Sequence, residues 1–169
     1  DRALAVLDRL AQRKPDDVAV ARESARILLE HEGDARSGFE ILRALATRSQ
    51  PRPGLWADCL RASLLVDPPS SGMVELARSA AAFRSFVDPD TLFLLAAVHA
   101  HRGELDEAIE AFAEASKHAA IMPADYLYVQ ARAAEHLGLR EAAAAAYRQM
   151  DRSTLLGAHG HARARVLER

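Results

Sequence analysis

Histidine is the side chain in this sequence best suited to chemistry, because its imidazole binds metal ions and transfers protons near neutral pH. Three histidines share one setting, two residues before a glycine: His31, His101 and His136. His99 and His101 lie two residues apart on one predicted helix and point in nearly opposite directions, so they cannot chelate one ion. His101 and His136 occupy equivalent positions, but no third ligand accompanies them. We therefore predict no metal site.

Other catalytic chemistry has no support in the sequence. Cys59 is the only cysteine, which excludes an internal disulfide and a thiolate-rich metal site. The chain has no Gly-rich phosphate loop, no H-E-x-x-H motif and no nucleophile elbow. We therefore predict that the chain is not an enzyme and uses no cofactor. The carboxylates on one predicted helix face are interpreted as solubilising: Asp106, Glu107, Glu110 and Glu114.

Composition and charge narrow the choice of partner. The 169 residues include 22 Lys and Arg against 24 Asp and Glu, for a net charge of -2. This balance gives no basic stripe for nucleic acid, and the C-terminal arginines Arg163, Arg165 and Arg169 are interpreted as a solvated helix end. No apolar run is long enough to insert directly into a membrane. The abundance of arginine and alanine is typical of a GC-rich bacterial genome, with a cytoplasmic or periplasmic location left open.

Glycine spacing reveals an internal repeat. Gly103 and Gly138 are 35 residues apart, and each is followed by alanine after five residues and by an aromatic residue after nine. Gly33 and Gly72 repeat the pattern less regularly. Each unit predicts two amphipathic helices, with the glycine ending the first one in a left-handed conformation. The sequence predicts ten helices and no strand: 2–13, 16–31, 35–48, 54–66, 72–86, 90–102, 105–119, 124–137, 140–150 and 154–167.

These residues also carry a family resemblance. In the best unit, the residues that match a known helical-repeat motif are Leu92, Leu95, Ala96, Gly103, Ala108, Phe112 and Ala115. With these residues the chain resembles the tetratricopeptide repeat family, whose unit has about 34 residues. The resemblance implies an all-α, right-handed α-α superhelix of about four helix pairs with partial repeats at the ends.

The implied organisation is a single domain over 1–169, as a fragment of a longer bacterial protein. Residues 1–15 would be the second helix of a truncated repeat. Complete repeats would occupy 16–50, 51–88, 89–122 and 123–151, and 152–169 would be a partial repeat or a capping helix.

The resemblance also implies a binding surface, because first helices line the concave groove of such arrays. Arg26 and Arg61 align with Arg132 and would form an arginine ladder, although a chain so rich in arginine could align three by coincidence. Trp56 is interpreted as a packed residue. The residues expected in the groove are Arg26, Arg61, Asp90, Phe93, Leu94, His101, Asp125, Tyr128, Val129, Arg132, Glu135 and His136.

The function implied is that of a protein–protein interaction scaffold, which binds a protein segment or subunit in its groove. The alternative is a regulatory or recruiting domain of a larger bacterial envelope, secretion or exopolysaccharide-assembly protein or enzyme. Oligomerisation is left open. Arg132→Glu and Tyr128→Ala are expected to weaken partner binding while leaving helicity and thermal melting unchanged.

Overall fold

A computed structural model describes Ala5, Val6 and Arg9 and residues 17–32, 34–48, 52–120 and 126–169. Over these residues the chain is all-helical, as predicted, with no strand. The helix predicted at 2–13, like Gly33 and Asp125, lies largely or wholly outside the described residues. The nine described α-helices are α1 (Val18–Ile27), α2 (Ala35–Arg48), α3 (Pro53–Ser63), α4 (Met73–Phe83), α5 (Pro89–Arg102), α6 (Leu105–His118), α7 (Tyr126–His136), α8 (Arg140–Gln149) and α9 (Leu155–Leu167).

The chain divides into two compact units, Asp1–Val66 and Asp67–Arg169. In the first unit, the Asp17 carboxylate caps α1 by accepting hydrogen bonds from the backbone NH groups of Ala19 and Val20, at 3.0 and 3.3 Å. Helix α1 continues into a π-helical turn, Leu28–Glu32, and α2 packs against both α1 and α3. Gly38 permits this packing, because a Cβ there would lie 2.7 Å from the Leu29 side chain.

Helix α5 is the centre of the second unit. Every residue of α5 from Thr91 to His101 is buried, as expected for a helix that is apolar around most of its circumference. Helices α4, α6 and α7 all pack against it, while α7 packs on α8 and α8 on α9. In the core, the rings of Phe93 and Phe112 meet edge to face, with centroids 5.3 Å apart. The second unit is therefore built around one helix that is buried everywhere except at its ends.

Two of the glycines predicted to end a helix in a left-handed conformation are confirmed. Gly103 and Gly138 adopt left-handed φ angles of 80° and 74°, which L side chains disfavour. The NH groups that follow them donate to His99 O and Ala134 O, at 3.0 and 2.9 Å, and close the ends of α5 and α7.

The expectation for Gly72 is wrong in its placement. Gly72 also has a left-handed φ, of 81°, but it immediately precedes α4 instead of ending a helix. The physical reason is the proline-containing segment 64–71, which separates it from the end of α3 at Ser63. None of the described helices is long and apolar enough to cross a membrane.

Candidate functional site

A group of polar side chains meets inside the second unit, around the carboxylate of Glu135. Helices α5, α7, α8 and α9 and the residue before Pro68 all contribute to it. Four of its members are residues that the sequence analysis placed in the groove. The group, called the Glu135 network below, consists of Asp67, His101, Tyr128, Arg132, Glu135, Tyr147 and Arg163.

Glu135 is the hub because both of its oxygens accept hydrogen bonds. Arg132 Nη1 and Tyr147 Oη donate to Oε2, at 2.7 and 2.6 Å. Arg163 makes a two-pronged contact, with Nε 3.1 Å from Oε2 and Nη2 2.8 Å from Oε1. A planar guanidinium matches a carboxylate in this way, and charge assistance strengthens both bonds. Through Glu135, helices α7, α8 and α9 are therefore tied together.

A second set of bonds connects α7 to α5. Arg132 Nη2 donates to the backbone oxygen of His101, at 3.0 Å. The Tyr128 hydroxyl lies 2.9 Å from His101 Nδ1, and the other ring nitrogen of His101 lies 3.8 Å from Asp67 Oδ1. If the hydroxyl donates to Nδ1, the hydrogen of His101 is on Nε2 and points towards Asp67. Asp67 also accepts from Arg163 Nη1, at 2.5 Å.

The surroundings hold Glu135 and the two tyrosines of the network in one charge state near neutral pH. Burial by itself would raise the pKa of Glu135, but hydrogen bonds from Arg163 and Tyr147 and the charges of Arg163 and Arg132 lower this pKa to about 2. Burial raises the pKa of Tyr128, and burial together with the bond to Glu135 raises the pKa of Tyr147. At neutral pH the two arginines therefore face two carboxylates and two neutral phenols.

His159 on α9 lies in the field of the same charged groups. Burial lowers the pKa of its imidazole, and the nearby positive charge of Arg163 lowers it further. Among the described residues, two buried polar atoms have no hydrogen-bond partner: His159 Nε2 and Arg132 Nε. His159 is thus neutral at physiological pH and does not add to the charge of the network.

The structure buries half of the residues that the sequence analysis placed in the groove. Phe93 lies in the core, Tyr128 is fully enclosed, and Arg132 is only 5% exposed. Asp125 lies outside the described residues. Exposed residues are Arg26, Arg61, Asp90 and His136; Glu135 is half-buried; buried residues are Phe93, Leu94, His101, Tyr128, Val129 and Arg132. The role of all twelve in partner binding stays a prediction.

Because Tyr128 and Arg132 are buried, substitutions of these two residues cannot separate an effect on partner binding from an effect on stability. Tyr128→Ala would empty a fully enclosed site, and Arg132→Glu would place two carboxylates together in the same network. Both changes are expected to destabilise the fold, which overturns the expectation of unchanged melting. Exposed residues have to be used instead.

Arg26, a member of the predicted arginine ladder, pairs with acidic residues of its own helical segment in the first unit. Arg26 forms ion pairs with Glu23 and Glu30, three and four residues away on its own helical segment. Residues three and four positions apart lie side by side on a helix, so such pairs form locally. The side chain of Arg26 is therefore engaged along its own helix.

The histidines and the cysteine are possible metal ligands by residue type, and the structure gives the setting of several of them. No group of three or more His, Cys, Asp or Glu residues there is arranged to hold a metal ion. The ring of His136 lies against Gly103: a Cβ added to Gly103 would be 3.0 Å from the nearest atoms of the His136 ring. Burial raises the pKa of the Cys59 thiol to about 12, so this cysteine is protonated at neutral pH.

Sequence reasoning missed Asp67, Tyr147 and Arg163 as members of the network. The interpretation of Arg163 as part of a solvated helix end is wrong, because its side chain is only 23% exposed and pairs with Glu135 and Asp67. Asp67 precedes Arg163 by 96 residues, and no local pattern signals a pair so distant. For Tyr147, the repeat indicated an aromatic position nine residues after Gly138 but not the hydroxyl bond to Glu135.

Comparison of the chain with protein-family models, with curated proteins and with solved structures finds no match in any of the three.

Proposed function

We propose that the chain is a non-enzymatic scaffold of tetratricopeptide-like repeats, which binds a protein segment or subunit at the exposed ends of α5 and α7 of its second unit. The observation that carries this proposal is that α5 and α7 pack directly against each other, although α6 lies between them in the sequence. Side-by-side packing of first helices is what builds a continuous binding surface in helical-repeat proteins.

The Glu135 network favours binding by making this pair of helices rigid. Tyr128 and Arg132 connect α7 to His101 on α5, and Glu135 connects α7 to α8 and α9. A surface that is already ordered loses little conformational entropy when a partner binds. The buried polar residues thus contribute to affinity indirectly, by holding the helices that a partner contacts.

The same network argues against catalysis. A general acid or base works best when its pKa lies near the operating pH. Here the pKa of Glu135 is held near 2, while those of Tyr128 and Tyr147 are raised by burial. Tyr147 bonds to Glu135 and Tyr128 bonds to His101, and the three groups keep their charge states near neutral pH, which is the behaviour of a structural network.

Asp90 and His136 are the exposed members of the predicted surface in this unit. Asp90 lies in the first turn of α5, and His136 ends α7 beside Gly103, which follows the last residue of α5. The 14 residues of α5 correspond to a length of about 20 Å at the rise of an α-helix. A partner segment of roughly six extended residues spans that distance.

The test is selection of peptides from a random displayed library against the whole chain, followed by affinity measurements on variants. Asp90→Asn and His136→Ala are each expected to weaken the selected peptides about tenfold, equivalent to about 1.4 kcal/mol. The matched controls on α6 are Asp106→Asn, also an exposed first-turn aspartate, and His118→Ala, also a histidine that ends its helix. These controls should leave affinity unchanged.

Hydrogen exchange of the peptide complexes locates the bound surface independently of the variants. Binding is expected to slow exchange in α5 and α7. Protection confined to α6 and α8, together with full affinity in the Asp90 and His136 variants, would remove this surface from the proposal.

A further inference from the structure

A basic cleft lies where α8 ends and α9 passes beside it, and none of its lining residues belongs to the Glu135 network. Its volume is about 340 Å³, within the range of small ligand sites. Ala158 and Ala164 contribute small side chains to its wall and leave the longer cationic side chains around an open space. The lining residues are Arg148, Arg152, Ala158, His161, Ala164 and Arg165.

His161 positions two of the arginines. Its Nε2 lies 2.9 Å from the backbone oxygen of Met150, and its Nδ1 accepts a hydrogen bond from Arg152 Nε at 3.2 Å. Arg165 Nε donates to the backbone oxygen of His161, at 3.4 Å. In both arginines it is Nε that makes the bond, so the terminal nitrogens of each guanidinium remain available to a ligand.

One carboxylate of the chain already pairs with an arginine that lines the cleft. Glu168, just beyond the end of α9, forms an ion pair with Arg148. Asp151 is also close in sequence, but its Oδ1 accepts from the backbone NH of Ser153 at 2.9 Å. In the described part of the chain, neither Arg152 nor Arg165 has a carboxylate within ion-pair distance. Three guanidinium groups therefore share one carboxylate, which leaves an excess of about two positive charges.

We propose that this cleft binds a pair of neighbouring carboxylates on an acidic segment of a partner protein. One carboxylate displaces Glu168 from Arg148, and the other is held by Arg152 and Arg165. The guanidinium group suits this role because its planar fork donates two parallel bonds to a carboxylate and stays charged at all physiological pH values. The Glu168 pair is an internal example of the same chemistry.

A protein partner is favoured over a nucleic acid by the lining of the cleft. Proteins that hold single-stranded nucleic acid combine positive charge with aromatic side chains on which bases stack. The cleft is lined by arginine, alanine and histidine, without Phe, Tyr or Trp, and the whole chain carries a net charge of -2. This site is separate from the α5–α7 surface and does not depend on the function proposed for that surface.

The test is fluorescence anisotropy of a labelled oligoglutamate peptide titrated with the whole chain, with oligoglutamine as the uncharged peptide. Arg152→Gln and Arg165→Gln are each expected to weaken oligoglutamate binding about fivefold. Because both side chains are exposed, neither change should disturb the fold. Arg140→Gln, an exposed arginine outside the lining, is the matched control and should bind as the unmodified chain does.

Glu168→Gln is the more specific test, because it removes the carboxylate that competes for Arg148 and should therefore strengthen oligoglutamate binding. Loss of the internal competitor is expected to raise affinity about threefold. Asp90→Asn and His136→Ala should have no effect here, so failure of this site is distinguishable from failure of the α5–α7 surface. Equal binding by the cleft variants, no gain in Glu168→Gln, or tighter binding of an oligothymidylate of equal charge would each overturn the proposal.

Discussion

Replacing Glu135 by glutamine tests whether the Glu135 network stabilises the second unit. Glutamine keeps the size of the side chain but removes the charge that faces Arg132 and Arg163. Its amide NH₂ group also adds a donor where arginine and tyrosine donors already converge. The variant leaves a nearly buried arginine without its closest counter-charge, which is the costly way to disrupt a buried ion pair.

The magnitude follows from the pKa of the carboxyl group. Folding lowers this pKa from an ordinary value of 4.5 to about 2, and each unit of difference corresponds to about 1.4 kcal/mol. The ionised carboxylate of Glu135, which is only 13% exposed, therefore contributes about 3 kcal/mol to the free energy of unfolding at pH 7. Since the folded pKa is the lower one, this contribution is complete above about pH 4.5 and is lost as the pH falls towards 2.

Urea unfolding followed by far-ultraviolet circular dichroism, at pH values between 7 and 3, is the appropriate assay. The free energy of unfolding of the glutamine variant is expected to be lower than that of the unmodified chain by about 3 kcal/mol at pH 7 but by only about 1 kcal/mol at pH 3. At pH 3 the ionised carboxylate of the unmodified chain contributes less to stability, because this pH lies close to the folded pKa. Glu110→Gln, an exposed carboxylate on α6, is the control and should change stability by less than about 0.5 kcal/mol at either pH.

Hydrogen exchange at pH 7 locates the effect, since α7, α8 and α9 should exchange faster in the Glu135 variant. A loss in the free energy of unfolding below about 1 kcal/mol at pH 7 would contradict the reasoning. A substitution on the surface commonly has so small an effect, whereas disruption of a buried ion pair does not. A loss that stays the same down to pH 3 would contradict it equally, since the destabilisation would then be unrelated to the charge.

Two further predictions concern single residues. Gly138→Ala places a side chain at a left-handed φ in open space and should cost about 1 kcal/mol, whereas Gly103→Ala also meets the His136 ring and should cost about 2 kcal/mol. Urea unfolding measures both, and His136→Ala should remove the difference; equal costs in the two single variants would contradict the contact. The Cys59 thiol should react with a thiol reagent at pH 8 only after urea unfolding, because it is buried and its pKa is raised to about 12. Rapid reaction of the folded chain would contradict its burial.

The helices were predictable from sequence because their causes are local. Apolar residues at helical spacing and glycines at a repeat of 35 placed α5 to α8 closely, and the left-handed φ of Gly103 follows from the absence of a side chain. The prediction around Gly72 was less accurate because the length of the inserted segment 64–71 alters where the preceding helix ends. Boundaries of that kind depend on how a proline-containing turn packs, which spacing alone does not determine.

The candidate site was only partly predictable, for two physical reasons. Family positions assign faces to an ideal first helix, but the run Leu92–Val98 is apolar all round and is enclosed on every side. The sequence contains that signal, and it predicts that the middle of α5 is buried, so that only the ends of this helix are exposed to a partner. The partnership of Glu135 with Arg163 joins residues 28 positions apart, on helices whose approach depends on the packing of the whole unit, so no spacing rule points to it.

The balance of charges in the Glu135 network has a consequence for how these positions can vary. Two arginines and two carboxylates neutralise one another, so any single loss leaves an uncompensated charge, whereas joint removal of Asp67 and Arg163 leaves the pair of Arg132 with Glu135 in place. The energetic effects of such substitutions are therefore strongly non-additive. Replacing both members by apolar side chains of similar volume should be tolerated better than replacing either one alone, so these positions are free to change in pairs but not singly.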